Sequence, residues 1–265
     1  MNGENKMRVR KMLKKDNSND NPMQKLTTIC DKCFFKKCWK CFMSSHIDFG
    51  FYPANQNPTD SSKYDEKWFN DYKWWPFNNT LEAKQITEGR HPTIIKNIVG
   101  ENKRILDVGC GQGFLVHFLR DLGVDAVGVD YSEYGIKNCV EQVREYVSVA
   151  DVVSLPFKDN EFDMVIGREL FEHITLSQAE AGFKEMLRVS KKYLYFTIWL
   201  NFSIFANDYE FSSDMRDETH ITFATRKFWE EKFNLWSSGK VIPVKEMEKS
   251  LDWMDKRRCF IYEKR

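Results

Sequence analysis

The sequence predicts an α/β protein built on a doubly wound, mostly parallel sheet, with a small cysteine-rich module ahead of it. Three observations carry this expectation. From residue 104 onward, short apolar runs alternate with amphipathic stretches, the pattern of strands joined by helical crossovers. The first of these runs ends in "GCGQG", which sets glycines at alternate positions where a strand gives way to a helix. And 265 residues with 42% hydrophobic content suffice for one sizeable core and an appended module.

Residues 1–25 are polar and are expected to form a basic, disordered tail, with Lys6, Arg8, Arg10, Lys11, Lys14, Lys15 and Lys25 crowded into it. Residues 26–47 hold the cysteine cluster, and 48–63 read as a linker or irregular wrap from the passage "YPANQNPTDSSKY", which ends at Tyr64. The main domain is expected over 64–265. It opens with "YDEKWFNDYKWWPF", an amphipathic helix broken at Pro76.

"RILDV" is the first strand, and "FLVHFLRDLG" is a helix in which Leu115, Phe118, Leu119 and Leu122 share one face before Gly123 closes it. "DAVGVD" is the second strand and "EYGIKNCVEQVREY" the second helix. "VSVAD" and "FDMVIGR" are the third and fourth strands, separated by the loop "LPFKDNE". A helix through "LSQAEAGFKEMLRV" precedes the fifth strand, "YLYFTIW". The remainder holds a helix at "TRKFWEEKFN" and strands near "KVIPV" and "RCFIYEK".

The charge balance excludes little. Lys+Arg 40 against Asp+Glu 39 leaves +1, so no global field calls for nucleic acid or membrane. No apolar run is long enough for a membrane span and no signal segment opens the chain, so a soluble, cytoplasmic protein is expected. In that compartment the 7 cysteines stay reduced.

The glycine turn lies at the carboxyl edge of the first strand, where open α/β sheets bind ligands. A dinucleotide fingerprint would need a glycine at position 114, which is Phe114. "LDVGCGQGFL", from Leu106 to Leu115, instead resembles motif I of the class I S-adenosylmethionine-dependent methyltransferases, a Rossmann-like fold. Three later stretches resemble that family in order and spacing. They are "VGVDYSE" with Asp130 and Tyr131, "ADVVSLPF" with Asp151 and Val152, and "FDMVIGRELFEHI" with Gly167 and Arg168. Ala150 replaces a common glycine.

The resemblance implies S-adenosylmethionine as cofactor. Gly109, Cys110, Gly111 and Gly113 would pass beneath it, and Asp107 would orient its ammonium end. Asp130 and Tyr131 would meet the ribose, Asp151 and the Val152 N–H the adenine, and Arg168 the methionine portion. Methyl transfer is an in-line displacement in which alignment supplies much of the rate, so a base is needed only for a protonated acceptor. His173 in "FEHI" is a candidate catalytic residue, with Glu169 and Glu172 beside it. His220 is the other candidate, because His220, Phe223 and Thr225 resemble a stretch near the acceptor mouth of glycan, lipid and natural-product methyltransferases. Trp68, Phe69, Tyr72, Trp74 and Trp75 either pack on the sheet or line the acceptor pocket.

"CDKCFFKKCWKC" places Cys30, Cys33, Cys38 and Cys41 as two close C-x-x-C pairs. Four thiolates so spaced suit one structural zinc, with an iron–sulfur cluster as the alternative. The expected function is methyl transfer from S-adenosylmethionine to an oxygen or nitrogen of a small-molecule or glycan acceptor. The runner-up is an RNA or protein methyltransferase that uses the basic, cysteine-rich opening for RNA or protein contact. A non-catalytic S-adenosylmethionine-binding protein is the third reading.

Overall fold

The computed structural model describes residues 51–53, 57–70, 81, 90–200, 219–245 and 258–265. All of them fall in one compact unit, Phe49–Arg265. The basic tail, the cysteine cluster at Cys30, Cys33, Cys38 and Cys41, and the aromatic positions Tyr72, Trp74 and Trp75 lie outside the described residues.

Strands β2 (Arg104–Val108), β3 (Asp125–Asp130), β4 (Val147–Val149), β5 (Phe162–Arg168), β6 (Ser190–Thr197), β8 (Val241–Pro243) and β9 (Cys259–Lys264) form one seven-stranded sheet in the order β4-β3-β2-β5-β6-β9-β8. The first five run parallel, and β9 is antiparallel to both β6 and β8. A separate two-stranded ribbon pairs β1 (Phe51–Pro53) with β7 (Thr222–Ala224). The order reverses at β2, whose neighbours are β3 and β5, and this creates the switch-point crevice at its carboxyl end.

Alternation along the strands divides the core into two layers. Leu106, Val165, Leu194, Phe196, Phe260 and Tyr262 point to one face, and Ile105, Met164, Ile166, Tyr195 and Ile261 to the other. The first face is covered by α5 (Leu176–Val189) and α6 (Arg226–Trp236), through Phe183, Trp229, Phe233 and Trp236. The second is covered by α2 (Arg90–Val99) and α3 (Phe114–Asp121), through Ile95, Leu115 and Leu119. The Phe233 ring stacks on Phe183 at 4.9 Å and on Trp229 at 5.6 Å, so aromatic packing fixes α6 on the sheet.

Helix boundaries follow local chemistry. Thr175 and Gln178 form a reciprocal capping box that starts α5, and the Thr225 hydroxyl accepts from the Phe228 N–H to start α6. The single helix expected over "EYGIKNCVEQVREY" is instead two short pieces. Helix α4 (Glu133–Lys137) stops at Asn138, and a 3₁₀ turn covers Glu141–Tyr146. The Val140 N–H is drawn out to the Gln112 carbonyl at 2.9 Å, which breaks the ladder and pins this segment to the glycine turn. No helix among the described residues is long and apolar enough to cross a membrane.

Candidate active site

Four loops lie at the carboxyl edge of the parallel strands, those after β2, β3, β4 and β5. In the first, Gly109, Gly111 and Gly113 all adopt left-handed backbone conformations, with φ of 78°, 56° and 79°. Only glycine takes such angles freely, so the turn is conformationally obligatory. The chain's own side chains already approach all three positions. A Cβ on Gly113 would lie 2.9 Å from Val143, one on Gly109 3.3 Å from Leu170, and one on Gly111 3.6 Å from the Phe69 ring. Cys110 is buried, and burial, helped by the charges of Asp130 and Asp107, pushes its thiol well above the ordinary range. It therefore stays protonated and inert.

Asp130 ends β3 and ties the second loop to the first. Its Oδ2 accepts the Gly111 N–H and its Oδ1 the Ser132 N–H, both at 2.7 Å. Burial raises this carboxyl above its usual value, against the two N–H donors that lower it. Tyr131, next in sequence, is 43% exposed and available to a ligand. Asp107 is buried at the end of β2. Asp151 accepts the Val153 N–H at 3.1 Å, and the Val152 side chain packs against Gly182 of α5. Arg188 fixes this loop from behind, with a two-bond fork onto Glu185 and further bonds to the carbonyls of Leu155 and Phe157.

The fourth loop follows β5, where Arg168 is half-buried. Glu169 has φ 46°, a strained conformation for a side-chain-bearing residue, and pairs with Arg258. Burial alone would raise its carboxyl, but Arg258 and then Arg168 outweigh that and hold it below the ordinary value. Glu172 is fully buried in a 3₁₀ turn, Phe171–His173. Burial, reinforced by the charge of Glu169, pushes the Glu172 carboxyl well above the usual range.

His173 Nδ1 is bonded to Thr219 Oγ1 at 2.8 Å, and the His173 and His220 rings lie 4.5 Å apart. The two histidines singled out from sequence, 47 positions apart by their numbers, therefore form one cluster. The helix that follows His220 is capped by Thr225, not by His220.

A covering segment crosses this edge. Ser132 Oγ donates to the Tyr64 carbonyl at 2.7 Å, and Thr59 Oγ1 reaches the His173 carbonyl at 3.5 Å. Just after these anchors, helix α1 (Glu66–Asn70) lays Trp68 near His173, ring centroids 6.1 Å apart, and Phe69 on Gly111 and Gly135. Trp199 and Arg258 complete the wall, with the guanidinium 4.6 Å above the indole. Neither was foreseen. Arg258 reaches the site because β9 is antiparallel: Cys259 pairs with Thr197, so the start of β9 lies at the edge where the parallel strands end.

The N–H groups of Gly109 and Cys110 bond to the Val129 carbonyl, that of Gly111 to Asp130 and that of Gly113 to the Cys110 carbonyl, so the turn is a backbone cradle with carboxylates at the strand ends. The strand order and the reversed final hairpin define the class I S-adenosylmethionine-dependent methyltransferase fold. A family profile described as a methyltransferase domain matches residues 106–196. Among solved structures, a methyltransferase from Archaeoglobus fulgidus superposes with TM-score 0.51 at 16% identity, covering 74% of this chain and 98% of that one. The [4+2]-cyclase SpnF does so with TM-score 0.54 at 16% identity, covering 79% and 97%.

Among curated proteins, norajmaline N-methyltransferase of Rauvolfia serpentina is 28% identical over 162 residues, 57% of this chain and 49% of the relative. A ubiquinone biosynthesis O-methyltransferase of Coxiella burnetii is 34% identical over 107 residues, 38% of this chain and 46% of the relative. The chain thus spans about half the length of these curated relatives.

Proposed function

We propose that this chain is an S-adenosylmethionine-dependent methyltransferase acting on an oxygen or nitrogen of a small-molecule or glycan acceptor. The observation that carries the reading is the convergence, at one sheet edge, of the glycine turn, Asp130 and the His173–His220 pair under an aromatic cover. The relatives are an O- and an N-methyltransferase by name, which supports the same reaction class.

The residues fit the cofactor. Asp130 retains lone pairs beyond its two N–H contacts and meets the ribose hydroxyls, with Tyr131 alongside. Asp107 with Gly109, Cys110, Gly111 and Gly113 holds the amino-acid portion, Arg168 borders it, and Asp151 and the Val152 N–H take the adenine. When bound, the cofactor supplies a methyl group already activated on a sulfonium. The chain's own tasks are alignment, exclusion of water by Tyr64, Trp68 and Phe69, and removal of the acceptor proton by His173 or His220. The bond between Thr219 Oγ1 and Nδ1 fixes the orientation of the His173 ring.

Zinc, or an iron–sulfur cluster, held by Cys30, Cys33, Cys38 and Cys41 completes the proposal, as does RNA contact through the basic N-terminus and a cytoplasmic location. The deciding assay incubates the protein and a cell extract with S-adenosylmethionine labelled in its methyl group. Label in the low-mass or glycan pool is expected. Label confined to nuclease- or protease-sensitive polymer would replace this reading with the RNA or protein methyltransferase.

A further inference from the structure

We propose that Glu172, His173 and His220 form a binding site for a divalent transition-metal cation at the acceptor mouth. One ligand atom from each side chain lies within 4.8 Å of the others. Glu172 is wholly buried. Its Oε1 accepts the Trp199 N–H at 2.8 Å, whereas its Oε2 is buried with no hydrogen-bond partner. Burial and the neighbouring Glu169 favour a proton on Glu172, and a cation bound at the buried Oε2 would take the place of that proton.

The surroundings are those of a supported ligand set. Thr219 Oγ1 is bonded to His173 Nδ1 and holds the ring in place, as outer-shell partners do for ligating histidines. The segment bearing His220 is fastened to the segment bearing Glu172 and His173. The Ile221 N–H bonds to the Glu172 carbonyl at 2.8 Å, and the Thr222 hydroxyl to the Ile174 carbonyl at 2.7 Å. Glu169 is engaged by Arg258 and is not counted as a ligand. Metal–ligand bonds of about 2.1 Å set ligand atoms roughly 3.0–3.4 Å apart, so binding draws the side chains together by at most about 2 Å.

Two imidazoles and a carboxylate suit manganese, iron, cobalt, nickel or zinc better than magnesium, which prefers all-oxygen shells. Three protein ligands leave coordination positions open. The role in catalysis rests on the methyltransferase reading, and with the metal bound His173 and His220 act as its ligands in place of serving as the base. An acceptor hydroxyl at an open position would lose its proton more readily. That proton passes to solvent, the oxygen forms a bond to the methyl carbon, and the carbon–sulfur bond of the sulfonium breaks to leave a neutral thioether.

The test titrates Mn²⁺ into the full-length chain and follows free ion by its electron paramagnetic resonance signal. Manganese is chosen because the softer cysteine thiolates at 30–41 disfavour it. About one bound ion per chain is expected, weakened at least about tenfold by His220→Ala and by Glu172→Gln, and about tenfold by Thr219→Val. Half-buried His220 keeps the test valid if the Glu172 variant fails to fold. S-adenosylmethionine affinity of His220→Ala, measured in parallel, is expected to stay unchanged and reports an intact fold. No bound Mn²⁺, or equal binding by His220→Ala, overturns the metal site whether or not methyl transfer occurs. Bound Mn²⁺ with no binding of S-adenosylmethionine would instead remove the methyltransferase reading and leave the site standing.

Discussion

Asp130→Ala tests the architecture of the crevice without any substrate. The carboxylate joins the glycine turn to the loop after β3 through two N–H contacts of 2.7 Å. Hydrogen bonds to a charged group contribute about 1.5–3 kcal/mol each, so the pair amounts to roughly 3–6 kcal/mol. Burial of the charge, which raises the Asp130 carboxyl above its ordinary value, opposes this. The net loss expected is about 2–4 kcal/mol, because two backbone donors are left without their acceptor.

Urea unfolding of wild type and variant measures it directly. Asp125→Ala, on the same strand but with an exposed side chain paired to Arg104 and Arg120, should cost less than about 1 kcal/mol and serves as the control. If Asp130→Ala unfolds within about 0.5 kcal/mol of wild type, the carboxylate does not clamp the two loops and the reasoning fails.

Other outcomes follow from the same contacts. Gly113→Ala should destabilise by about 2–4 kcal/mol, since its Cβ would sit 2.9 Å from Val143 at a φ of 79°, and the unfolding midpoint reports it. Phe69→Ala should weaken S-adenosylmethionine binding about tenfold or more by uncovering Gly111, with a stability loss of only about 1–2 kcal/mol because the ring is half-buried. Equal affinity by calorimetry would mean that the aromatic segment does not cover the cofactor. Glu185 is held below its ordinary value by its bonds from Arg188, so its stabilisation is present above pH 4.5 and lost as pH falls through the lowered folded value. The stability gap between wild type and Glu185→Gln should therefore be full at neutral pH and shrink below about pH 4.5. A gap independent of pH would show that the ion pair contributes nothing.

Much of the fold was legible because parallel strands and their crossover helices carry strong local periodicity. "FDMVIGR" and "LSQAEAGFKEMLRV" match β5 and α5 residue for residue. The split of the second helix was not legible, since it depends on a backbone bond from Val140 to Gln112 across the turn. The glycines of "GCGQG" were expected to clear space for a ligand. Their left-handed backbone angles require glycine for a separate reason that the sequence did not reveal, and Leu170, Phe69 and Val143 are the groups seen nearest to them.

In the same way His173 and His220 were legible as individuals, but their contact is not written in either segment. It arises from the bonds that tie the strand after His220 to the turn after β5. Arg258 and Trp199 had no signal at all, because only the antiparallel insertion of β9 brings Arg258 to this edge.

The central claim is that the edge around Gly111 and Asp130 binds S-adenosylmethionine. Calorimetric titration of S-adenosylmethionine into the wild-type chain tests it most directly. The account predicts saturable binding at one site per chain, and a folded chain that takes up none would contradict it.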